Sequence, residues 1–234
     1  MDINIIYEDS YIMVVEKPPK IPSQRDKTGN IDMLSLIKNY LKEKYPRAKN
    51  PYIGLIHRLD RPVGGLMVFA KTKQANAKLS KQIQDREFKK EYLVVICGKP
   101  EQEKGELVDY LIKNQRRNIS KVVSKETKGA KEAILEYELV DSMNVEEEIL
   151  SLIKVNLKTG RHHQIRVQLS NAGLPIWGDT KYNDFFKNKK GWFQIALWAF
   201  RLDFFHPKTN KLCSFKLNPK GYPFELFNIE KYFI

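Results

Sequence analysis

A run of strand-forming segments in the middle of the chain constrains its fold more than any other feature. The segments suggest successive antiparallel strands over residues 88–97, 105–112, 119–124, 131–141 and 148–157. Further strands are expected near residues 195–205 and 211–217, and no internal repeat is visible. Strands therefore dominate and helices are few. The sequence predicts an α+β fold with a mixed, largely antiparallel central sheet flanked by helices and loops.

The first third of the chain adds detail to this prediction. Two short strands are expected within residues 4–16, and Lys17-Pro18-Pro19 ends the second because proline cannot donate a hydrogen bond to a strand ladder. Asp32 is predicted to cap the first helix. Helices are predicted over residues 33–45, 73–85 and 164–172. No convincing linker interrupts the sequence, so residues 1–234 are expected to form a single domain.

The composition excludes several classes of protein. Hydrophobic residues make up 42% of the chain, which is enough to build a packed core, so disorder is not expected for most of it. No stretch approaches the ~18 uninterrupted apolar residues of a membrane span, and the N-terminus lacks the pattern of a signal peptide. Cys97 and Cys213 are too few for a disulfide scaffold or a four-cysteine zinc site, and small core positions are expected for both. The sequence therefore predicts a globular, cytoplasmic protein.

The positive charge is concentrated in two segments. The chain has 41 Lys and Arg against 28 Asp and Glu, which gives a net charge of 41 − 28 = +13. Residues 71–90 contribute 7 − 2 = +5 and residues 113–131 contribute 7 − 1 = +6, together 11 of the 13 excess charges. Such clustering is typical of a nucleic-acid-binding protein. The alternative is a lysine-rich soluble protein from a lysine-biased proteome.

The segment from Leu55 to Lys71 has the first concentration of reactive side chains. Asp60 stands between Arg58 and Arg61, just before a glycine pair and a hydrophobic strand. The glycines permit positive backbone angles or the close approach of a ligand. Because nearby positive charge lowers the pKa of a carboxyl group, Asp60 is expected to be ionised at neutral pH. The alternative is an ordinary Arg–Asp ion pair in a loop.

A second concentration surrounds the start of the third predicted helix. The polar side chains there are Arg161, His162, His163 and Gln164. Free N–H groups of a helix that begins near His163 would form an anion site. Arg166, one turn further, has a planar fork that can pair with a carboxylate or a phosphate. The alternative is the N-terminus of a helix with surface arginines.

Motifs for cofactors and metals are missing. No His-x-x-x-His pair occurs, and adjacent histidines in a helix point about 100° apart, so His162 and His163 do not easily bind one ion. Neither a P-loop nor a dinucleotide-binding glycine pattern is present. We therefore expect neither a metal nor a cofactor.

Taken together, these segments resemble the RluA-type family of RNA pseudouridine synthases. The family patterns H-R-L-D-x-x-[TS]-[SG]-G-[LV], G-R-x-H-Q-[IL]-R and G-D-x-x-Y are similar to residues 57–66, 160–166 and 178–182. The family's strand pair ending in K-P resembles residues 5–18, and its K-x-Y strand resembles residues 90–92. Each motif alone is modest, but the set follows the family order from about residue 3 to residue 226.

The resemblance implies a catalytic domain that isomerises uridine to pseudouridine in structured ribosomal or transfer RNA. Asp60 matches the catalytic aspartate, and its role as nucleophile or base stays open. Tyr92 matches the tyrosine that stacks on the base and is a candidate for the final proton abstraction, and Arg166 matches the basic residue that pairs with the aspartate. The residues that the resemblance implies for substrate binding are His57, Arg58, Arg161, Gln164 and Ile165.

Two of these residues have more specific expected roles. Arg58 matches an arginine that helps to hold a flipped-out nucleotide, and Ile165 matches part of an apolar floor beside Arg166. Unstacking a base from a stem costs a few kcal/mol, which aromatic stacking and arginine insertion offset. Isomerisation needs no redox partner or metal, which agrees with the missing cofactor motifs.

The sequence also departs from the family pattern. Val63-Gly64-Gly65 replaces a frequent Thr-Ser-Gly, Trp198 replaces a frequent histidine, and His162 replaces a threonine, so substrate contacts are expected to differ. No separate N-terminal RNA-binding domain is expected, and the basic segments would then provide the grip on RNA. Alternatives are a non-catalytic RNA-binding protein that retains the fold, and a metal-dependent nuclease. A monomer is the expected state.

Overall fold

The structure is a computed structural model that describes residues 3–26, 29–47 and 50–232. The chain divides into two compact units, the first comprising Met1–Lys90 and Ala199–Leu217 and the second Glu91–Trp198 and Asn218–Ile234. The strands are β1 (Ile5–Glu8), β2 (Ile12–Lys17), β3 (Gly54–Leu55), β4 (Gly64–Ala70), β5 (Lys89–Cys97), β6 (Lys104–Asn114), β7 (Ile119–Val123), β8 (Lys131–Val145), β9 (Glu148–Leu157), β10 (Leu197–Phe205) and β11 (Leu212–Lys216). The helices are α1 (Met33–Lys44), α2 (Lys73–Gln84), α3 (Gln164–Asn171), α4 (Asp184–Lys187) and α5 (Ile229–Tyr232), with a 3₁₀ helix at Phe224–Leu226.

In the first unit, strand β4 lies at the centre of the core. The strand order is β1-β2-β4-β10-β11, and β3 also pairs with β4. The pairs β1–β2, β2–β4, β3–β4 and β10–β11 are antiparallel. Every residue of β4 is buried, and its Leu66 and Val68 belong to one core cluster with Val14 of β2, Leu79 of α2 and Phe204 of β10. The strand that follows Asp60 in sequence is therefore firmly packed.

In the second unit, five strands form an antiparallel arrangement with α3 beside it. Their order is β5-β9-β8-β6-β7. A register shift between Leu139 and Asp141 marks an irregularity in the long strand β8. Val167 of α3 packs against Leu111 of β6 and Ala133 of β8, which fixes the helix against the strands.

This architecture confirms the predicted α+β class with largely antiparallel strands. The Asp32 side chain accepts a hydrogen bond from the Ser35 N–H at 3.2 Å and caps α1, as the sequence predicts. β2 ends at Lys17, immediately before Pro18. No helix within the described residues is long and apolar enough to cross a membrane.

The structure differs from the sequence prediction in its short elements and in the basic segment 113–131. The helices α4 and α5, the 3₁₀ helix and the two-residue strand β3 are too short to produce a periodic pattern. Residues 113–131, which could be read as an arm or insertion, supply the end of β6, all of β7 and the turn into β8. Cys97 and Cys213 are only partly buried, so neither is a fully buried core residue as expected, although Cys213, near the start of β11, packs against the core cluster of the first unit; Cys97 ends β5.

Candidate active site

Asp60 lies in the loop that connects β3 to β4. Residues 56–63 have no helix or strand, and the N–H of Val63 donates to the carbonyl of Asp60 at 3.0 Å. Asp60 is partly buried, whereas Arg58 and Arg61 are exposed. The loop thus presents a carboxylate between two arginines at the start of a buried strand.

A buried lysine holds the residues that follow Asp60. Lys17, at the end of β2, is 0% exposed, and its Nζ donates to the carbonyls of Pro18 at 2.9 Å, Arg61 at 3.2 Å and Val63 at 2.6 Å. Burial lowers the pKa of Lys17 to about 7, while the negative charge of Asp60 acts in the opposite direction. The ammonium group therefore fixes the loop through its carbonyls and interacts electrostatically with Asp60.

The residues before Asp60 are held by a serine. The hydroxyl of Ser23 donates to the carbonyl of Leu59 at 2.8 Å and accepts from the N–H of the same residue at 3.0 Å. Lys20 and Arg61 form a second reciprocal pair, because the Lys20 N–H donates to the Arg61 carbonyl and Arg61 Nε donates to the Lys20 carbonyl, both at 2.9 Å. Asp60 is therefore fastened on both sides to the segment that follows β2.

Gly65 shows why a glycine is required at the start of β4. Its φ is +118°, and a Cβ atom built there would lie 2.4 Å from the carbonyl oxygen and 2.6 Å from the nitrogen of Ala199. Both the backbone angle and the close approach exclude a side chain. The glycine pair after Asp60 was predicted to permit positive backbone angles or the close approach of a ligand; Gly65 has the positive angle, and the group that approaches it closely is the backbone of Ala199.

His57 is buried within the first unit, where its side chain contacts β4 and Phe88. Its Nε2 accepts from the Val68 N–H at 3.2 Å, and its ring lies 5.7 Å from that of Phe88. Burial, with a smaller contribution from Lys90, lowers the pKa of His57 to about 3, so the ring is neutral at pH 7. Its Nδ1 has no hydrogen-bond partner among the described residues. The predicted contact of His57 with substrate stays a prediction.

In the second unit, the turn before α3 is ordered by Gln164. Its buried Oε1 accepts from the Arg161 N–H at 2.9 Å and the Thr159 hydroxyl at 2.8 Å, and its Nε2 donates to the Ile134 carbonyl at 3.1 Å. His163, which precedes the helix, has a left-handed φ of 55° and makes no side-chain capping bond. Gln164 therefore ties the first residue of α3 to the turn before the helix and to the backbone of Ile134. Arg161 is exposed, and its Nε donates to the Glu132 carbonyl at 2.7 Å.

Arg166 forms a buried ion pair with Asp179. Its Nε donates to Oδ2 at 2.8 Å and its Nη2 to Oδ1 at 2.7 Å, and the two side chains are 4% and 0% exposed. Asp179 Oδ1 also accepts from the N–H groups of Lys181 and Tyr182. The sequence predicted that the Arg166 fork pairs with a carboxylate or phosphate, but it did not identify Asp179, whose only signal was its place in the G-D-x-x-Y motif.

Tyr182 connects this ion pair to the basic hairpin formed by β6 and β7. Its ring centroid lies 5.2 Å from the Arg166 guanidinium carbon. Its hydroxyl accepts from the Ser120 N–H at 2.7 Å and is hydrogen-bonded to His163 Nδ1 at 2.8 Å. The hydroxyl of Ser120 in turn lies 2.9 Å from His162 Nδ1. This network was not predicted, because Ser120 lies 62 residues from Tyr182 and 42 residues from His162 in the chain.

The remaining predicted residues of the second unit are also buried. Tyr92 is 6% exposed on β5, opposite Val155 of β9, and Ile165 is 5% exposed on α3. The structure thus brings His57, Arg58 and Asp60 together on one loop of the first unit. In the second unit it brings Arg161, Gln164, Ile165 and Arg166 together at the start of α3, with Tyr92 on β5.

The two basic segments occupy exposed positions on different elements. Residues 71–90 include α2, where Lys73, Lys78 and Lys81 are exposed. All seven basic residues of 113–131 are exposed, around the β6–β7 hairpin and the turn into β8. Among the described residues, no group of three His, Cys, Asp or Glu side chains is placed to hold a metal ion.

Known proteins match this chain over most of its length. Residues 11–171, which include Asp60, Tyr92 and Arg166, match the family described as RNA pseudouridylate synthase. The ribosomal large subunit pseudouridine synthase C of Buchnera aphidicola (subspecies Baizongia pistaciae) is 31% identical over 212 residues, covering 88% of this chain and 64% of that protein. The tRNA pseudouridine synthase C of Haemophilus ducreyi is 30% identical over 224 residues, covering 89% of this chain and 88% of that protein.

A solved structure supports the same fold. The human RNA pseudouridylate synthase domain containing 4 superposes with a TM-score of 0.76 at 20% identity, covering 93% of this chain and 88% of the human chain. The chain spans 64% of the Buchnera protein. The likeness to the human structure therefore concerns the fold, and the sequence matches concern the family.

Proposed function

Because the chain belongs to the RNA pseudouridylate synthase family, we propose that it isomerises uridine to pseudouridine in structured RNA, with Asp60 as its catalytic residue. The observation that carries this proposal is the family match over residues 11–171, which includes the Asp60 loop. Relatives are named for ribosomal RNA and for transfer RNA, so both are candidate substrates. A cytoplasmic monomer that needs no cofactor is part of the proposal.

The geometry of the Asp60 loop supports a catalytic role for its carboxylate. The loop backbone is held by Lys17 on one side of Asp60 and by Ser23 on the other. A reacting group that is fixed before the substrate arrives loses little freedom in the transition state. The carboxylate then acts on the target nucleotide so that uracil detaches, turns and rejoins through its 5-carbon. Both an attack on the base and an action on the sugar are compatible with this geometry.

Tyr92 and Arg166 are the proposed partners of Asp60 in the reaction. The Tyr92 ring stacks on the base, and its hydroxyl is the candidate that removes the proton from the 5-carbon. Arg166 is held in one orientation by its two hydrogen bonds to Asp179, so its positive charge is fixed before RNA binds. Ile165, one residue earlier, would contribute apolar surface.

The exposed arginines are suited to holding a nucleotide outside its helix. Arg58 lies two residues before Asp60 and is exposed, so its guanidinium can enter the space left by a flipped base. Arg161 is also exposed, at the turn before α3. His57 and Gln164, whose hydrogen bonds lie within the fold, would support these loops from beneath.

The test is release of tritium from RNA that carries 5-tritiated uridine. Transcripts of ribosomal and transfer RNA are incubated with the wild type, with Asp60→Asn, and with Asp85→Asn as a matched control at an exposed position. The wild type and the control are expected to release tritium, whereas Asp60→Asn should fall below detection and still bind RNA. A wild type that binds RNA without release would contradict the proposal and indicate a non-catalytic RNA-binding protein.

A further inference from the structure

A ladder of aromatic rings in the second unit takes no part in the proposed reaction. Phe185, Phe186, Trp177 and Tyr222 contact one another in series, with successive centroid distances of 5.1, 5.1 and 5.0 Å. Phe186 is 2% exposed, whereas Phe185 and Tyr222 at the two ends are 54% and 45% exposed. The ladder is therefore anchored in the core and open to solvent at both ends.

The helix that carries Phe185 is held in place by the fold. The Asn183 side chain caps α4 by accepting from the Phe185 N–H at 3.1 Å, and its Nδ2 donates to the Ile176 carbonyl at 3.0 Å. Phe193 packs on Phe186 at a centroid distance of 5.3 Å. Contiguous exposed apolar surface that is rimmed by polar residues marks interaction sites.

Positive charge surrounds the ladder. Residues 181–193 contain four lysines and one acid, which gives 4 − 1 = +3. Lys189 Nζ lies 3.5 Å from the ring centroid of Phe185 and 5.2 Å from that of Phe186. Lys187 and Lys190 are exposed on the same short stretch of chain. The Lys187 ammonium is paired with Asp184, and the Lys189 ammonium lies over the Phe185 ring, so ring faces and ammonium groups lie within a few residues of one another.

This combination fits single-stranded nucleic acid. Proteins bind unpaired strands by stacking bases on aromatic side chains while basic side chains follow the phosphates. A paired stem presents its phosphates but hides the faces of its bases. Protein interfaces also use aromatic residues, but they are depleted in lysine. The charge and the rings together therefore favour RNA over a protein partner.

We propose that the exposed rings of Phe185 and Tyr222, supported by Phe186 and Trp177, form with Lys187, Lys189 and Lys190 an aromatic–lysine platform that binds unpaired nucleotides of the substrate RNA. That this RNA is the substrate rests on the proposed function. A base that stacks on Phe185 would share the ring with Lys189, whose ammonium group can turn to the neighbouring phosphate. The platform would select RNA with an unpaired segment next to the structured part.

The first test measures binding of a fluorescein-labelled oligouridylate by anisotropy. The double variant Phe185→Ser/Tyr222→Ser is compared with the wild type and with Leu212→Ser, an exposed apolar control that is 66% exposed. Removal of each stacking ring is expected to raise the dissociation constant at least about fivefold, with an unchanged salt dependence because every charged side chain is kept. Lys189→Gln/Lys190→Gln should instead reduce the salt dependence. Affinities equal to the control in both double variants would overturn the proposal and leave a protein as the remaining partner.

A second measurement locates the contact directly in the wild type. An oligonucleotide that contains 4-thiouridine is photocrosslinked, and the modified peptides are identified by mass spectrometry. Crosslinks at Phe185 or Tyr222 are expected, whereas crosslinks confined to peptides outside 177–193 and 218–225 would overturn the platform. Tritium release in the same preparation separates the two proposals. Tritium release without crosslinks at Phe185 or Tyr222 would contradict only the platform. Crosslinks at these residues without tritium release would contradict only the proposed reaction.

Discussion

The Asp60 loop of the first unit and the α3 region of the second unit are held in place by different kinds of contact. The loop has no regular structure, and buried Lys17 and Ser23 fasten its backbone. In the α3 region the backbone is already helical, and the fixed element is a side chain, Arg166, held by the carboxylate of Asp179. The Asp60 side chain is positioned because hydrogen bonds fix the backbone of its loop. The Arg166 side chain is positioned because an ion pair fixes its rotamer on the helix.

The two regions also differ in how they hold charge. At the loop, the Lys17 ammonium donates to three neutral carbonyls and interacts with the charge of Asp60. Burial lowers the pKa of Lys17 to about 7. The cation on α3 faces a full carboxylate in bidentate geometry. The loop therefore has a cation whose charge depends on pH near neutrality, whereas the guanidinium of α3 keeps its charge at all relevant pH values.

The largest expected effect comes from breaking the ion pair of the α3 region. Asp179→Ala leaves the buried Arg166 without its carboxylate, so the free energy of unfolding should fall by about 3–5 kcal/mol in urea denaturation. Asp184→Ala, at an exposed position in the same unit, is the control and should change it by less than about 0.5 kcal/mol. A loss below about 1 kcal/mol for Asp179→Ala would show that the pair does not stabilise this region.

Acid should weaken the first unit through His57. Its folded-state pKa of about 3 lies below the unfolded value of about 6.5, so the unfolded chain takes up a proton first as the pH falls. This linkage should cost about 3 kcal/mol of stability between pH 7 and pH 4. His57→Gln keeps an acceptor for the Val68 N–H. Its free energy of unfolding should therefore fall less than that of the wild type between pH 7 and pH 4, as measured by urea denaturation at both pH values. Parallel curves for the two proteins would rule out His57 as the source.

Removal of the lysine under the loop should affect the reaction more than RNA binding. Lys17→Met frees the carbonyls of Arg61 and Val63, and the misplaced carboxylate should slow single-turnover tritium release about 100-fold. RNA affinity should stay within about threefold of the wild type, since Lys17 is buried. Lys42→Met, at an exposed position, is the matched control. Equal rates for both variants would show that the loop keeps its shape without Lys17.

The same variant tests the pH dependence of the buried cation. Because the folded-state pKa of Lys17 lies below the unfolded value, the unfolded state holds more protons between pH 7 and 10.5, and stability from this group rises with pH there. Lys17→Met should lack that rise. The difference in urea midpoint between wild type and variant, followed across this range, measures it.

The smallest effect is expected from the exposed charges of the two units. Replacing Lys73 and Lys81 of α2, or Lys121 and Lys128 of segment 113–131, by Gln should lower the salt slope of RNA binding by about 0.9 for each replaced lysine that neutralises a phosphate in the wild type. The rate at saturating RNA should not change. A slope that responds to only one pair would assign RNA binding to that unit.

The positions of the longer strands along the chain and the starts of the helices are the parts of the fold that follow best from the sequence. The alternation of apolar residues and the Asp32 cap gave element bounds close to those observed, because both signals are local. The Asp60 segment stood out for the same reason, since its charges and glycines are adjacent. Short elements such as α4 left no pattern to detect.

The contacts that support the candidate site were not predictable in this way. Lys17 bonds to carbonyls 44 and 46 residues away, and the Ser120 N–H bonds to a hydroxyl 62 residues away. Such partners depend on strand register and packing, which a single sequence does not specify. Asp179 lies only 13 residues from its partner Arg166. Even so, the presence of a carboxylate in a motif does not reveal which cation it pairs with.

The fastening of the Asp60 loop has a consequence for how such a chain can diversify. His57 is tied to Val68, Leu59 to Ser23, and Arg61 and Val63 to Lys17, so almost every second residue is anchored. An inserted or deleted residue would break several anchors at once, whereas an exchange at the exposed Arg58 would break none of these; an exchange at Arg61 would remove its hydrogen bond to the Lys20 carbonyl. The loop is therefore fixed in length, and the identity of its side chains is least restricted at Arg58.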